Sequence, residues 1–152
     1  MRQFSLTEYH KGFYACEGES ICQRLRNIEY EKLMGHDASE ECGVYDAYDF
    51  LQGACNVFAY VLQEVFCYDV FAIKEGEKLI HMFCKTEYQG KRVYVDVRGA
   101  TTSYDEFIRG FEKHREEKPT KQNTKMEKWD KADIERYEFA KSIIRRFMEY
   151  YE

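Results

Sequence analysis

Apolar residues recur with helical spacing directly after Cys55. They fall at Val57, Phe58, Val61, Leu62, Val65 and Phe66. A stripe with this period predicts an amphipathic helix over 55–66 that turns one face to the core. Cys55 is expected at the start of the helix, at the edge of the stripe. Gly53 precedes it, and glycine permits a tight turn or a close backbone approach that other residues resist.

Beyond this helix the pattern changes to short runs of strand type. Three antiparallel strands joined in chain order are predicted from the runs 68–74, 79–87 and 91–97. Alternate residues on a strand face opposite sides, so Asp96 shares a face with Arg92 and Tyr94. His81 lies in the second run. Cys84 is three positions further on, so we expect it on the opposite face, in the core.

The turn between the second and third strands decides whether His81 and Asp96 meet. A two-residue turn at 88–89 places His81 directly opposite Asp96. A turn at 89–90 places Asp96 opposite Phe83, diagonal to His81 on the same face. A three-residue loop without a bulge separates the two side chains.

Further helices flank this central unit. Ser20 with Gln23 matches a capping box, and the apolar spacing after it predicts a helix over 21–34. Ser103 with Glu106 matches a second capping box, which begins a short helix.

Towards the carboxyl terminus, 113–130 is expected to be a surface connection. A last amphipathic helix follows over about 131–151, beginning near Asp130 or Asp133. The first dozen residues are expected to be a loop or a short strand. Together these elements predict one α+β domain over residues 1–152, with a core unit at about 45–112.

Composition and charge exclude several classes of protein. Hydrophobic residues make up 44% and charged residues 34%, with 13 Tyr and 11 Phe, which is typical of a globular chain and not of a disordered one. The net charge of −5 argues against a nucleic-acid partner, because phosphate binding needs a basic face. No apolar run approaches the roughly 18 residues of a membrane-spanning helix, and the first residues lack a secretory signal, so we expect a cytoplasmic protein without a membrane partner.

The six cysteines are irregularly spaced and include no C-x-x-C pair. In a chain without an export signal they are expected to be reduced thiols. The usual ligand spacing of a structural zinc site is missing. We therefore expect no metal site, and the thiol chemistry considered next implies no organic cofactor.

A thiol, an imidazole and a carboxylate follow one another along the central unit. A helix start and a nearby imidazolium both favour the thiolate form of Cys55. If the sheet lies against this helix, His81 can act as general base and Asp96 can orient its ring. Backbone N–H groups at Cys55 and in the turn at Gly53 are candidate oxyanion or substrate-binding donors, with the Gln52 amide as an extra one.

At these residues the chain resembles the papain-like and transglutaminase-like superfamily of thiol enzymes. The matching segments are Gly53-Ala54-Cys55-Asn56-Val57-Phe58-Ala59, Ile80-His81-Met82-Phe83 and Tyr94-Val95-Asp96-Val97-Arg98-Gly99, about the middle third of the chain. The resemblance implies a nucleophile helix packed on a small antiparallel sheet with flanking helices. It also implies a cysteine hydrolase or acyltransferase that acts on an amide or thioester bond through Cys55, His81 and Asp96.

Plainer interpretations stand beside this one. A free cysteine is commonly an inert core residue, and a histidine in an apolar strand is commonly a hydrogen-bonded core residue. A structural pair of Asp96 with Arg98 or with a lysine accounts for the buried carboxylate without catalysis. The rival function is a non-catalytic binding or inhibitory protein, for example from a phage or mobile element. The expected partner is accordingly either a protein or peptide-like substrate or a protein that the chain engages.

Overall fold

The computed structural model describes residues 10–15, 21–122 and 129–152. In these ranges the chain is a mixed α+β protein with a six-stranded antiparallel sheet and seven helices. The strands are β1 (His10–Gly12), β2 (Asp69–Glu75), β3 (Lys78–Tyr88), β4 (Lys91–Asp96), β5 (Gly99–Thr101) and β6 (Thr120–Lys121). The helices are α1 (Ile21–Arg26), α2 (Tyr30–Met34), α3 (Asp49–Gln52), α4 (Cys55–Phe66), α5 (Tyr104–Phe107), α6 (Lys131–Arg146) and α7 (Met148–Tyr151).

The sheet has the strand order β1-β5-β4-β3-β2-β6. Its centre is the meander β2-β3-β4-β5, in which each strand pairs with the next one along the chain. The three predicted strands and their antiparallel order are confirmed. The short strands β1 and β6 close the two edges, beside β5 and β2 respectively.

The two faces of the sheet carry separate cores. The inner face packs against α4, and α6 packs on α4 in turn. Their shared core includes Val70, Ala72, Cys84, Val93, Val95, Phe58, Leu62 and Ile143. The outer face is covered by α5 and the residue after it, and its buried cluster is Ile73, Phe83, Tyr94, Phe107 and Ile108. The alternation expected for β4 is confirmed, because Tyr94 belongs to the outer cluster and its neighbours on the strand to the inner one.

The turn between β3 and β4 is formed by Gln89 and Gly90. Both have positive φ, 51° and 79°, as the two central residues of a type I′ turn require. The resulting register pairs Cys84 with Val95, which puts Asp96 opposite Phe83. The second of the predicted turn positions is therefore correct, and Asp96 lies diagonal to His81.

A β-bulge lies directly beside His81. Ile73 of β2 pairs with His81, but Lys74 pairs with Leu79, so Ile80 is an extra residue in β3. Bulges add local twist and redirect neighbouring side chains. The bulge therefore lies at the position on β3 from which the His81 imidazole projects.

The flanking helices differ in part from the sequence prediction. The helix predicted over 21–34 is wrong in its middle, since α1 and α2 are separated where Glu29 forms a bridge with Asp46. The capping residue Ser20 lies outside the described residues. The cap at Ser103 is confirmed, because its hydroxyl accepts the N–H of Glu106.

The predicted carboxyl-terminal helix is interrupted once. A full capping box of Asp130 and Asp133 begins α6. The helical conformation then breaks at Phe147, where φ is −120°, and resumes as α7. Nowhere in the described ranges is a helix both long and apolar enough to cross a membrane.

Candidate active site

Cys55 is the first residue of α4, as predicted. Ala54 precedes it and supplies no side-chain cap, but the Ala54 carbonyl accepts the N–H of Val57 at 3.1 Å. The thiol is 7% exposed, and its Sγ accepts a hydrogen bond of 3.3 Å from the backbone N–H of Met82 in β3. The nucleophile candidate is thus held between the start of a helix and the middle strand of the sheet.

His81 is completely buried on the outer side of β3. Its Nε2 lies 3.0 Å from Oδ2 of Asp96. The ring stacks on Phe111 at 4.6 Å between centroids and 16° between planes, with Phe83 on the same strand at 6.0 Å. Its other nitrogen, Nδ1, is buried and has no hydrogen-bond partner in the part of the chain that the structure describes. The ring is therefore fixed in orientation and has one nitrogen left for Cys55.

Asp96 is buried among hydrogen-bond donors. Arg98 reaches it with its backbone N–H at 2.9 Å and with its guanidinium at 2.6 Å, and the Tyr14 hydroxyl donates at 3.4 Å. Burial alone would raise the pKa of the Asp96 carboxyl, but the charge of Arg98 and the bonds from His81 and Arg98 hold it well below its usual range. Asp96 therefore pairs with both His81 and Arg98. The catalytic pairing and the structural pairing predicted for this carboxylate thus do not exclude one another.

Cys55 and His81 shift one another's protonation in the same direction. Burial raises the pKa of the Cys55 thiol, but the nearby imidazole and the N–H groups of Met82 and Asn56 outweigh it, and the net pKa is lowered. Burial lowers the pKa of His81, whereas Asp96 and Cys55 raise it, and the net pKa is raised. Both shifts favour a thiolate beside an imidazolium, which is the reactive form of a cysteine nucleophile.

The two predicted donors before Cys55, Gln52 and Gly53, are exposed to solvent. Gln52 is exposed, and its amide donates to the Tyr48 hydroxyl at 2.9 Å. Its side chain, Gly53 and Ala54 line one side of a pocket of about 330 Å³. The role of Gln52 and Gly53 in binding an oxyanion or substrate stays a prediction.

The reason expected for a glycine at position 53 is wrong. Gly53 has φ of −166°, which any residue adopts, and a Cβ there would meet no atom within 4 Å. Neither a positive φ nor a close backbone contact demands glycine. Its small size instead leaves open space immediately before Cys55.

Two contributors to the site were missed from the sequence. Tyr14 reaches Asp96 from a segment without a clear period, so nothing in the pattern marked it. Phe111 stacks on His81 from beyond α5, and no spacing in the sequence links it to that ring. The sequence predicted Arg98 only as an alternative partner of Asp96 in place of His81. Its guanidinium also donates to the carbonyl oxygens of Phe107 and Arg109, which ties the carboxylate to the outer layer.

Cys84 behaves as the predicted core residue. It is fully buried on the inner face, and its thiol donates to the Ala59 carbonyl at 3.4 Å. Burial raises the pKa of Cys84 far above that of an ordinary thiol. A cysteine of this kind is inert, so the chain contains its own unreactive comparison for Cys55.

In the described ranges, no three His, Cys, Asp or Glu side chains are grouped so that they could hold a metal ion. No family model, curated protein or solved structure matches the chain. The function is therefore argued from the geometry of the residues themselves.

Proposed function

We propose that the protein is a cysteine-dependent hydrolase or acyltransferase that acts on an amide or thioester bond of a protein or peptide-like substrate. The observation that carries the proposal is the buried series Asp96–His81–Cys55. One imidazole nitrogen is bonded to the carboxylate, the other has no hydrogen-bond partner among the described residues, and a thiol with a lowered pKa begins the adjacent helix. In such a series the carboxylate orients the ring, the ring moves the proton and the thiolate attacks.

The chemistry follows from these positions. The Cys55 thiolate adds to the carbonyl carbon, and the carbonyl electron pair moves to oxygen to form a tetrahedral oxyanion. The N–H of Cys55 at the helix start stabilises this charge, with the Gln52 amide as a second donor. The intermediate collapses as the C–N or C–S bond breaks, and His81 protonates the leaving group. Water or another nucleophile then gives its proton to His81 and releases the acyl group from sulfur.

We also propose that the core is papain-like or transglutaminase-like. A helix that begins with the cysteine packs on an antiparallel sheet, and the histidine and aspartate lie on adjacent strands. The five cysteines among the described residues are free thiols, which suits a reducing compartment, and we assign the reaction to the cytoplasm on that ground.

The test is the pH dependence of iodoacetamide alkylation, with each labelled cysteine located by mass spectrometry. Cys55 should react at lower pH than the exposed Cys67, because the imidazole holds its thiolate. Replacing His81 with Gln should move the labelling of Cys55 to higher pH. The matched control is His114→Gln, which removes a second buried imidazole that contacts Glu75 and not the thiol. If Cys55 labels as slowly as Cys84 at every pH, the proposal fails.

One observation favours the second candidate, a binding or inhibitory protein that retains the fold. Cys55 is 7% exposed and His81 is fully buried, so the thiol is nearly closed to a large substrate. For this candidate, the site is a structural network around Asp96. It is supported if Cys55 stays unreactive while the folded protein captures a specific protein partner.

A further inference from the structure

A groove of about 810 Å³ lies on the outer face of the sheet, away from Cys55. We call it the cationic groove, and its defining residues are Phe71, Lys85, Arg92, Tyr94, Tyr104 and Lys118. Phe83 and Phe107, fully buried with their ring centroids 4.5 Å apart, lie between it and His81. Lys85 is four residues along β3 from His81, roughly 13 Å at the rise of a strand. A ligand in the groove is therefore distinct from one at the thiol.

Three cations line the groove. Lys85, Arg92 and Lys118 form no ion pair with a carboxylate in the part of the chain that the structure describes. Partial burial, together with the charges of Arg92 and Lys118, lowers the pKa of Lys85. Like charges that face one another repel, and a bound anion relieves that repulsion. This cluster has the opposite sign to the chain, whose net charge is −5.

Two carboxylates, Asp69 and Glu87, also line the groove beside the three cations. Asp69 is engaged by Lys121, with 3.5 Å between Oδ1 and Nζ. Glu87 is exposed and stands across from Arg92 in the β3–β4 register without forming an ion pair. The groove thus keeps an excess of positive charge on its β3 and β4 side.

Aromatic rings form the apolar surface of the groove. The Nζ of Lys85 lies 4.0 Å from the centroid of Phe71, so the cation is held over a ring face. Tyr94 and Tyr104 lie 5.5 Å apart between centroids on the other side. Rings beside unpaired cations suit an anion that also carries apolar groups, because such a ligand gains charge neutralisation and apolar burial together.

We propose that the cationic groove binds an acidic peptide segment, with its carboxylates on the three cations and its apolar side chains on the aromatic rings. A volume of about 810 Å³ exceeds what a single inorganic anion fills. A nucleic acid is disfavoured because the negative charge of the whole chain repels a polyanion that extends beyond the groove. No part of this proposal depends on catalysis by Cys55.

The test is isothermal titration calorimetry of the full chain with an uncharged-ended hexapeptide of alternating glutamate and tyrosine. Binding should weaken as salt is added, because the pairs are partly exposed. The double variant Lys85→Gln/Arg92→Gln should weaken binding about tenfold or more. The control is Lys78→Gln/Lys113→Gln, which makes the same change in net charge at exposed lysines outside the groove, and its affinity should remain within about twofold of the parent.

A charge-swap variant keeps the test decisive if the neutral variant folds poorly. Lys85→Glu/Arg92→Glu should lose the glutamate peptide and gain a peptide of alternating lysine and tyrosine. Equal binding of a glutamine–tyrosine peptide by the parent overturns recognition of acid, and tighter binding of a thymidine hexanucleotide overturns the peptide assignment. Cys55→Ala should bind the acidic peptide like the parent, so this result is independent of whether the proposed enzyme is active.

Discussion

The backbone N–H of Met82 donates a hydrogen bond to the sulfur of Cys55. Met82 lies on β3 beyond the last residue pair between β3 and β4, which joins Cys84 to Val95. A strand N–H past the end of a ladder has lost its usual carbonyl acceptor, and here the thiol takes that place. The same bond favours the thiolate, because a charged acceptor forms the stronger hydrogen bond. The end of the β3–β4 ladder therefore supplies a hydrogen bond that favours the thiolate form of Cys55.

This relationship predicts different stabilities for two substitutions of Cys55. Cys55→Ala removes the acceptor and leaves the buried Met82 N–H unpaired, which should lower the free energy of unfolding by about 1–2 kcal/mol. Cys55→Ser keeps an acceptor and should cost less. Urea unfolding followed by circular dichroism measures both. Equal losses for the two variants would show that the bond to Met82 contributes nothing to stability.

The ionised state of Asp96 predicts a loss of stability in acid. The folded protein lowers the pKa of this carboxyl, whereas an unfolded Asp titrates near about 3.9. As the pH falls the unfolded chain takes up the proton first, so the free energy of unfolding decreases. The contribution is complete above about pH 5 and is lost progressively below about pH 4.

The measurement is urea unfolding at a series of pH values. Asp96→Asn should flatten the acid limb of the stability profile, because the titrating group is gone. The control is Asp69→Asn, whose carboxylate is 60% exposed and pairs with Lys121 on the surface. An acid limb that Asp96→Asn leaves unchanged would assign the effect to other carboxylates.

The central unit could be predicted because its signals are local and repeated. The stripe after Cys55 determined the bounds of α4, and the alternation along β4 placed Asp96 on the correct face. The turn at Gln89 remained one of three alternatives, since Gln89 is not a common residue at positive φ. The observed pairing of Tyr88 with Lys91 across β3 and β4 identifies the turn as Gln89-Gly90.

The rest of the fold could not be predicted because it depends on distant contacts. The strands β1 and β6 have three and two residues, too few for any period, and they form because β5 and β2 offer them a ladder. Tyr14 reaches Asp96 from 82 residues earlier in the chain, and no spacing in the sequence encodes such a meeting. The sequence offered His81 and Arg98 as alternative partners of Asp96, and only the packed structure shows that it pairs with both.

The turn itself provides a prediction about hairpin stability. A type I′ turn favours Asn followed by Gly, so Gln89→Asn should stabilise the fold by about 0.5 kcal/mol. Gly90→Ala places a side chain at φ of 79° and should destabilise it by about 1 kcal/mol. Thermal and urea unfolding measure both changes.

The carboxylate that orients His81 depends on Arg98, and a double-mutant cycle can measure that dependence. Arg98→Gln leaves Asp96 buried with fewer donors and should cost about 3–5 kcal/mol, because an uncompensated buried charge is expensive. Asp96→Asn should also destabilise, since it leaves the guanidinium without its carboxylate.

Because the two residues act as one unit, the double variant should cost less than the sum of the single ones by at least about 1.5 kcal/mol. The matched control is the exposed pair of Arg115 and Asp105, whose cycle should give at most about 1 kcal/mol.

Arg98→Lys restores a charge but not the fork of donors, so it should recover only part of the stability. If Arg98 also acts through Asp96 on His81, Arg98→Lys should move the alkylation of Cys55 to higher pH. An unchanged alkylation profile in a destabilised Arg98 variant would confine Arg98 to a structural role.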